Sequence, residues 1–191
     1  MSDETVNRAI EVVLSGGIII YPTDTAFGVG CRIDDKKAVD RLFHIRKRSL
    51  EQAMPVLVSS KNSALAYYDS PSDIVRHLME CHWPGALTIV ERCKKNLIYS
   101  PIRGGSDTIG LRWPHHADLQ KILEGVGVPI TGSSANFHGG KTPYTLSDLD
   151  PELVKLVDFV VPGVCPVGNV STVVDCSVTP YKIIRQGAVL L

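Results

Sequence analysis

Apolar residues recur at helical spacing near the start of the chain. Val6, Ala9, Ile10, Val13 and Leu14 fall on one face, after an acidic Asp3-Glu4 pair where a helix dipole favours negative charge. Gly16-Gly17 ends this predicted helix, and the unbroken run Ile18 to Tyr21 reads as a buried strand. A stripe through Val39, Leu42 and Phe43 predicts a helix from Lys36 to Arg46, followed by a strand from Pro55 to Val58. Ile74, Val75, Leu78 and Met79 predict another helix, capped by Ser72 and stopped before Pro84. Further strands are expected at Ala86 to Val90, Thr108 to Trp113, Val128 to Thr131, Phe159 to Val161, Thr172 to Asp175 and Lys182 to Arg185. Helices are expected at Ala117 to Glu124 and Glu152 to Val157, and the polar stretches Ser59 to Ser63 and His138 to Ser147 read as loops. The alternation predicts an α/β fold, a single domain over residues 1–191 without internal repeats.

Charge and cysteine content narrow the function. Twenty Lys plus Arg balance twenty Asp plus Glu, so the whole molecule has no electrostatic reason to coat a nucleic acid or a membrane. Attraction must be local, and the basic cluster Arg41, Arg46, Lys47 and Arg48 suits a small anion. Five cysteines without a Cys-x-x-Cys pair favour neither a disulfide scaffold nor a zinc module, and no metal-binding residues are expected. The acidic, polar Met1-Ser2-Asp3-Glu4 start lacks a signal-peptide pattern, and no apolar run could span a bilayer. The expected location is cytoplasmic, with no membrane partner.

Candidate chemistry gathers in three stretches. Pro129 to Gly140 ends an apolar strand in small hydroxyl and amide groups, so its backbone N–H groups, Ser133, Ser134 and Asn136 can approach an anion or an amino acid. Arg46 falls seven residues after Val39 and so continues the inward face of its helix. If the chain is extended beyond it, Arg48 projects to the same side. These cations can equally be a simple helix cap. The third stretch is Tyr21-Pro22-Thr23-Asp24-Thr25, followed by the small-residue run Gly28-Val29-Gly30. No Ser-His-Asp order, Cys-His pair or Walker or Rossmann glycine motif competes. Asp24 and Asp175 are acidic candidates with a structural reading.

Pro22-Thr23-Asp24-Thr25, Arg46-Lys47-Arg48 and Ser134-Ala135-Asn136 together resemble the YrdC-like family of threonylcarbamoyl-AMP synthases. That family carries Pro-Thr-(Asp/Glu)-Thr, Lys-x-Arg and Ser-x-Asn in this order and at similar separations. Trp83-Pro84-Gly85, Thr108 to Arg112, Ser171 to Asp175 and Ile184 to Gly187 extend the resemblance nearly from end to end. It implies a twisted mixed β-sheet flanked by helices, with a concave basic cavity, in the short stand-alone form without an extra C-terminal domain. The implied activity converts L-threonine, bicarbonate or CO2, and ATP into threonylcarbamoyl-AMP and pyrophosphate, for threonylcarbamoyladenosine modification of tRNA. ATP is thus a substrate, Mg2+ accompanies it, a separate tRNA threonylcarbamoyl transferase is the downstream partner, and tRNA or double-stranded RNA is a further candidate.

By the same resemblance, Arg46, Arg48, Ser134 and Asn136 are catalytic, and Thr25, Ser59, Arg112, Ser134 and Ser171 surround L-threonine. Arg48, Thr108, Asn136, Tyr144 and Arg185 would contact ATP. The chain departs from the pattern where Arg46 replaces lysine, where the segment before Pro55 is about two residues longer, and at Met54, which takes no ligand role. Restoring lysine at position 46 is expected to retain or raise activity. Cys31 to Lys36 and His44-Ile45-Arg46 look closer to the YciO branch. The alternative is therefore a YciO-like RNA-binding or nucleotide-binding protein with weak or no synthase activity. A carbamoyl-transfer module of a hydrogenase-maturation protein is disfavoured, because the domains attached to it are lacking.

Overall fold

The computed structural model describes residues 2–191. The chain runs α1 (Asp3–Leu14), β1 (Ile19–Tyr21), β2 (Gly28–Gly30), α2 (Lys36–Ile45), β3 (Val56–Leu57), α3 (Lys61–Tyr67), α4 (Asp73–His82) and β4 (Leu87–Arg92). It continues through β5 (Thr108–Arg112), α5 (Ala117–Val126), β6 (Ile130–Thr131), β7 (Ser133–Ser134), α6 (Pro151–Val154), β8 (Phe159–Val160), β9 (Thr172–Asp175) and β10 (Lys182–Arg185). Side chains of Ser2 and Asp35 cap α1 and α2 by accepting from Thr5 and Ala38 N–H groups. Ser72 stands at the N-cap of α4 but makes no capping bond. The polar stretch read as a loop after Val58 instead starts α3, because Ser60 accepts from the Ser63 N–H and caps the helix.

The strands form two sheets, not one. A four-stranded sheet has the order β7-β2-β1-β8 and a six-stranded sheet β10-β9-β4-β5-β3-β6, each mixing parallel and antiparallel pairs. Gly132 alone separates β6, in the larger sheet, from β7, in the smaller one. A Cβ there would lie 2.8 Å from the Leu57 side chain, so the crossing requires glycine. The Gly132 N–H also donates to Pro55 O at 2.7 Å, which ties the crossing to β3.

Two apolar clusters hold the sheets. The larger joins α2, α4 and the six-stranded sheet through Val39, Leu42, Phe43, Leu78, Leu87 and Leu111. The smaller packs α1 on α5 over β1 and β6 through Val6, Val13, Ile19, Ile122 and Ile130. Between them, where the sheets part at Gly132, the ends of β3, β5, β7 and β9 converge on one cavity.

Candidate active site

The turn after β1 supplies the first wall. Thr23 Oγ1 accepts from the N–H groups of Thr25 (3.0 Å) and Ala26 (3.1 Å) and donates to Ala26 O (2.8 Å), which fixes Thr25 in place. Thr25 Oγ1 accepts from Arg112 Nη1 at 2.8 Å, while Arg112 Nε donates to Gly85 O at 2.9 Å and Nη2 pairs with Asp24. Asp24 and Arg112 are both buried, at 4% and 6% exposure. Burial pulls the Arg112 guanidinium below its usual range, and Asp24 opposes that shift. Of five guanidinium N–H donors, this arrangement engages three and leaves two for a ligand.

The second wall comes from the end of α2. The Arg48 N–H bonds Phe43 O and the Lys47 N–H bonds His44 O, both at 3.0 Å, closing the helix in a Schellman turn. Lys47 occupies the left-handed position usually given to glycine, with φ 52°. The segment is therefore a tight turn, not the extended chain expected after Arg46. Arg48 nevertheless reaches the cavity, where Nε donates to Gln52 O (3.2 Å) and Nη2 to Ala53 O (2.6 Å). Met54, next in line, is 1% exposed and packs in the apolar core.

Arg46 does not line the cavity; it lies behind the wall. At 2% exposure it donates through Nε to Asn136 O (3.0 Å), through Nη2 to Asn136 Oδ1 (3.2 Å) and through Nη1 to Ser133 Oγ. Burial, reinforced by the Arg48 charge, pulls its pKa down to about 10, which leaves it protonated at neutral pH. Asn136 is equally committed: Oδ1 also accepts from Ser134 Oγ (2.6 Å) and Nδ2 donates to Gly140 O (2.6 Å). The fork therefore holds the Ser133 to Asn136 loop against α2.

This geometry argues against the expectation that lysine at position 46 retains or raises activity. An ammonium is a point charge and cannot meet three acceptors spread around a planar fork. Arg46→Lys is expected to slow catalysis about tenfold or more and to cost roughly 1–3 kcal/mol of stability by leaving buried acceptors unpaired. Steady-state rates and thermal unfolding of the variant test this; wild-type values for both would mean that the loop supports itself.

The third wall is β9 with β10. Arg185 Nε and Nη2 donate to Ser171 O at 3.0 and 2.8 Å, and Nη2 also reaches Ser171 Oγ at 2.9 Å. Ser171 Oγ lies 3.0 Å from Thr88 Oγ1. Among the described residues, Arg46, Arg48 and Arg185 have no carboxylate partner, whereas Arg112, Arg41 and Arg32 do.

Of the residues expected at the site, Thr25, Arg48, Arg112, Ser134, Ser171 and Arg185 line this cavity of about 180 Å³. Ser59 does not: it follows β3 beside the α5 side chain Gln120, which donates to Ser59 O at 2.6 Å. Tyr144 also lies off the wall, its N–H bonded to Asp148, although it is near enough to Arg185 to oppose the fall in that arginine's pKa. Thr108 lies four residues from Arg112 on β5, on the same sheet face and about 13 Å along the strand. Thr88 and Thr142 share the lining but escaped the sequence reading, while Thr23 and Gly132 also line it and lay in candidate stretches without a role of their own. Thr88 carried a signal, since its position in the strand Ala86 to Val90 was read and its polar side chain interrupts apolar neighbours.

A family model described as "Telomere recombination", for Sua5, YciO and YrdC proteins, matches residues 11–187. The chain belongs to this family. It is 29% identical to YciO of Escherichia coli K12, over 95% of this chain and 88% of that protein. Identity is also 29% to the threonylcarbamoyl-AMP synthase of Pseudoalteromonas translucida, over 84% of this chain and 87% of the other. The crystal structure of P. abyssi Sua5 complexed with L-threonine superposes with a TM-score of 0.93 at 25% identity. That match covers 98% of this chain but only 55% of Sua5. Equal identity to YciO and to a named synthase leaves the choice between family branches to the site residues.

Proposed function

We propose that this member of the Sua5/YciO/YrdC family is an L-threonylcarbamoyladenylate synthase, a nucleotidyltransferase acting on L-threonine, bicarbonate or CO2, and ATP. The carrying observation is the set of cations left without a counter-charge around one hydroxyl-rich cavity. Arg48 and Arg185 stand on its wall and Arg46 directly behind, all unpaired with carboxylates among the described residues. Arg46 is buried and Arg48 half-buried, so leaving them without a counter-charge is costly, and a triphosphate supplies negative charge to them and to the exposed Arg185. Arg112 differs, since Asp24 already neutralises it; its two spare N–H groups suit the carboxylate of an amino acid. In this cavity of about 180 Å³ the amino acid would sit against Arg112 and the phosphates against Arg48 and Arg185. The nucleoside would then lie toward Thr108 on β5 and toward Tyr144 near Arg185.

In the reaction the threonine amine bonds to the carbon of CO2 and releases a proton to solvent, or to the carbon of bicarbonate with loss of water, giving a carbamate. A carbamate oxygen then attacks the α-phosphorus of ATP, and pyrophosphate leaves with the electron pair of the broken P–O bond. Arg48 and Arg185 hold the phosphate oxygens, and the Ser133 to Asn136 loop presents Ser134 beside them. Catalysis on this reading is positioning and electrostatic stabilisation. Among the described residues, Asp24 is the carboxylate paired with a wall side chain, Arg112, and no cluster of three or more His, Cys, Asp or Glu could hold a metal ion, so these residues do not form a magnesium cage. Any Mg2+ would belong to the phosphates of the nucleotide, as is common for such sites. The product would pass to a tRNA threonylcarbamoyl transferase, in keeping with a cytoplasmic setting.

The second reading, a YciO-like RNA-binding or nucleotide-binding protein, is favoured by one observation: the arginine at the family's lysine position is withdrawn from the cavity. Pyrophosphate release separates the two. The synthase reading predicts release that requires L-threonine and bicarbonate together with ATP. Tight binding of double-stranded RNA or ATP with no threonine-dependent release would select the alternative.

A further inference from the structure

Thr88 has no role in the reading above, yet its environment suits it to one. It is 3% exposed, in the middle of the six-stranded sheet, and lines the cavity. On β4 it lies one step beyond the Ile89↔Leu111 pair, opposite Arg112, so the two project from the same sheet face. Its methyl is turned to Gly110, where a Cβ would come within 3.2 Å of Thr88 Cγ2. The hydroxyl is thereby directed the other way, to Ser171 Oγ at 3.0 Å.

Counting donors and acceptors shows what this pair can still bind. Two hydroxyls offer two hydrogens and four lone pairs. Their mutual bond uses one hydrogen and one lone pair, and Arg185 Nη2 uses a second lone pair on Ser171. Since Ser171 already accepts from Arg185, donation from Ser171 to Thr88 leaves Thr88 with a free hydrogen and each oxygen with one lone pair. A ligand hydroxyl, both donor and acceptor, completes this set; a methyl leaves it unpaired.

We propose that Thr88 is a specificity-determining residue, whose hydroxyl, paired with Ser171, receives the side-chain hydroxyl of the amino acid. The proposal rests on the synthase reading and deepens it: the substrate is selected as a β-hydroxy amino acid. A site built to pair a substrate hydroxyl rejects the analogue lacking it far better than an apolar pocket rejects a misplaced methyl.

Calorimetric titration with L-threonine and with its isostere L-valine, in the presence of α,β-methylene ATP, tests this directly. Wild-type protein is expected to favour threonine by at least about 100-fold. In Thr88→Val the preference should fall at least about tenfold, with threonine binding weakened and valine binding unchanged or tighter, while Thr88→Ser should keep it. Thr88→Ala is judged by the same criterion if the valine variant does not fold. A threonine preference that survives in the folded variants lacking the hydroxyl would overturn the proposal, as would equal weakening of both ligands, which marks a scaffold residue. Wild-type protein that binds neither amino acid would overturn the synthase reading itself, and this inference with it.

Discussion

Arg48→Ala is expected to slow pyrophosphate release by about 10²–10³-fold, a loss of roughly 2–4 kcal/mol of transition-state stabilisation, comparable to removing one strong oxyanion donor. The side chain reaches the cavity from a Schellman turn, and its anchors are the Gln52 and Ala53 carbonyls, not a carboxylate. Its charge is therefore available to the phosphates. The fold should persist, because Arg48 is only half buried and packs no part of the apolar core. Circular dichroism is the folding control, and wild-type rates in a folded variant would reduce the cluster to a helix cap.

Asp24→Ala should act through stability. Removing the carboxylate strands the Arg112 guanidinium, 6% exposed, without its counter-ion; breaking a buried pair in this way costs about 3–5 kcal/mol. Chemical denaturation measures that loss. Asp24→Asn is the companion, keeping an acceptor near Arg112 while removing the charge, and should fall between wild type and Ala. Both variants should raise the KM for threonine more than that for ATP, since the pair positions Thr25 and Arg112. A denaturation midpoint unchanged by Asp24→Ala would show that solvent reaches the guanidinium.

Much of this arrangement was legible in the sequence because it is local. The seven-residue spacing from Val39 was enough to turn Arg46 inward, and the alternation of apolar runs gave most helices and strands within a few residues. What escaped is non-local or carried by unusual residue choices. Lys47 adopts a left-handed conformation with no glycine to announce it. Asp24 and Arg112 meet across 88 positions of sequence. The division into two sheets hangs on Gly132, and β2 and β7 consist of Gly-Val-Gly and Ser-Ser, which carry no amphipathic signal. Four arginines, Arg46, Arg48, Arg112 and Arg185, could be placed near a ligand from motif order, but only the hydrogen bonds separate a wall residue such as Arg48 from Arg46 behind the wall.

On the synthase reading, the unpaired cations and the hydroxyl-lined cavity serve one condensation. Incubating the protein with 13C-bicarbonate, L-threonine, ATP and Mg2+ and identifying the nucleotide product by mass spectrometry tests it most directly. Threonylcarbamoyl-AMP carrying one 13C atom, formed in step with pyrophosphate, is the expected product. Folded, ATP-binding protein that yields no labelled adenylate under these conditions would contradict the synthase reading.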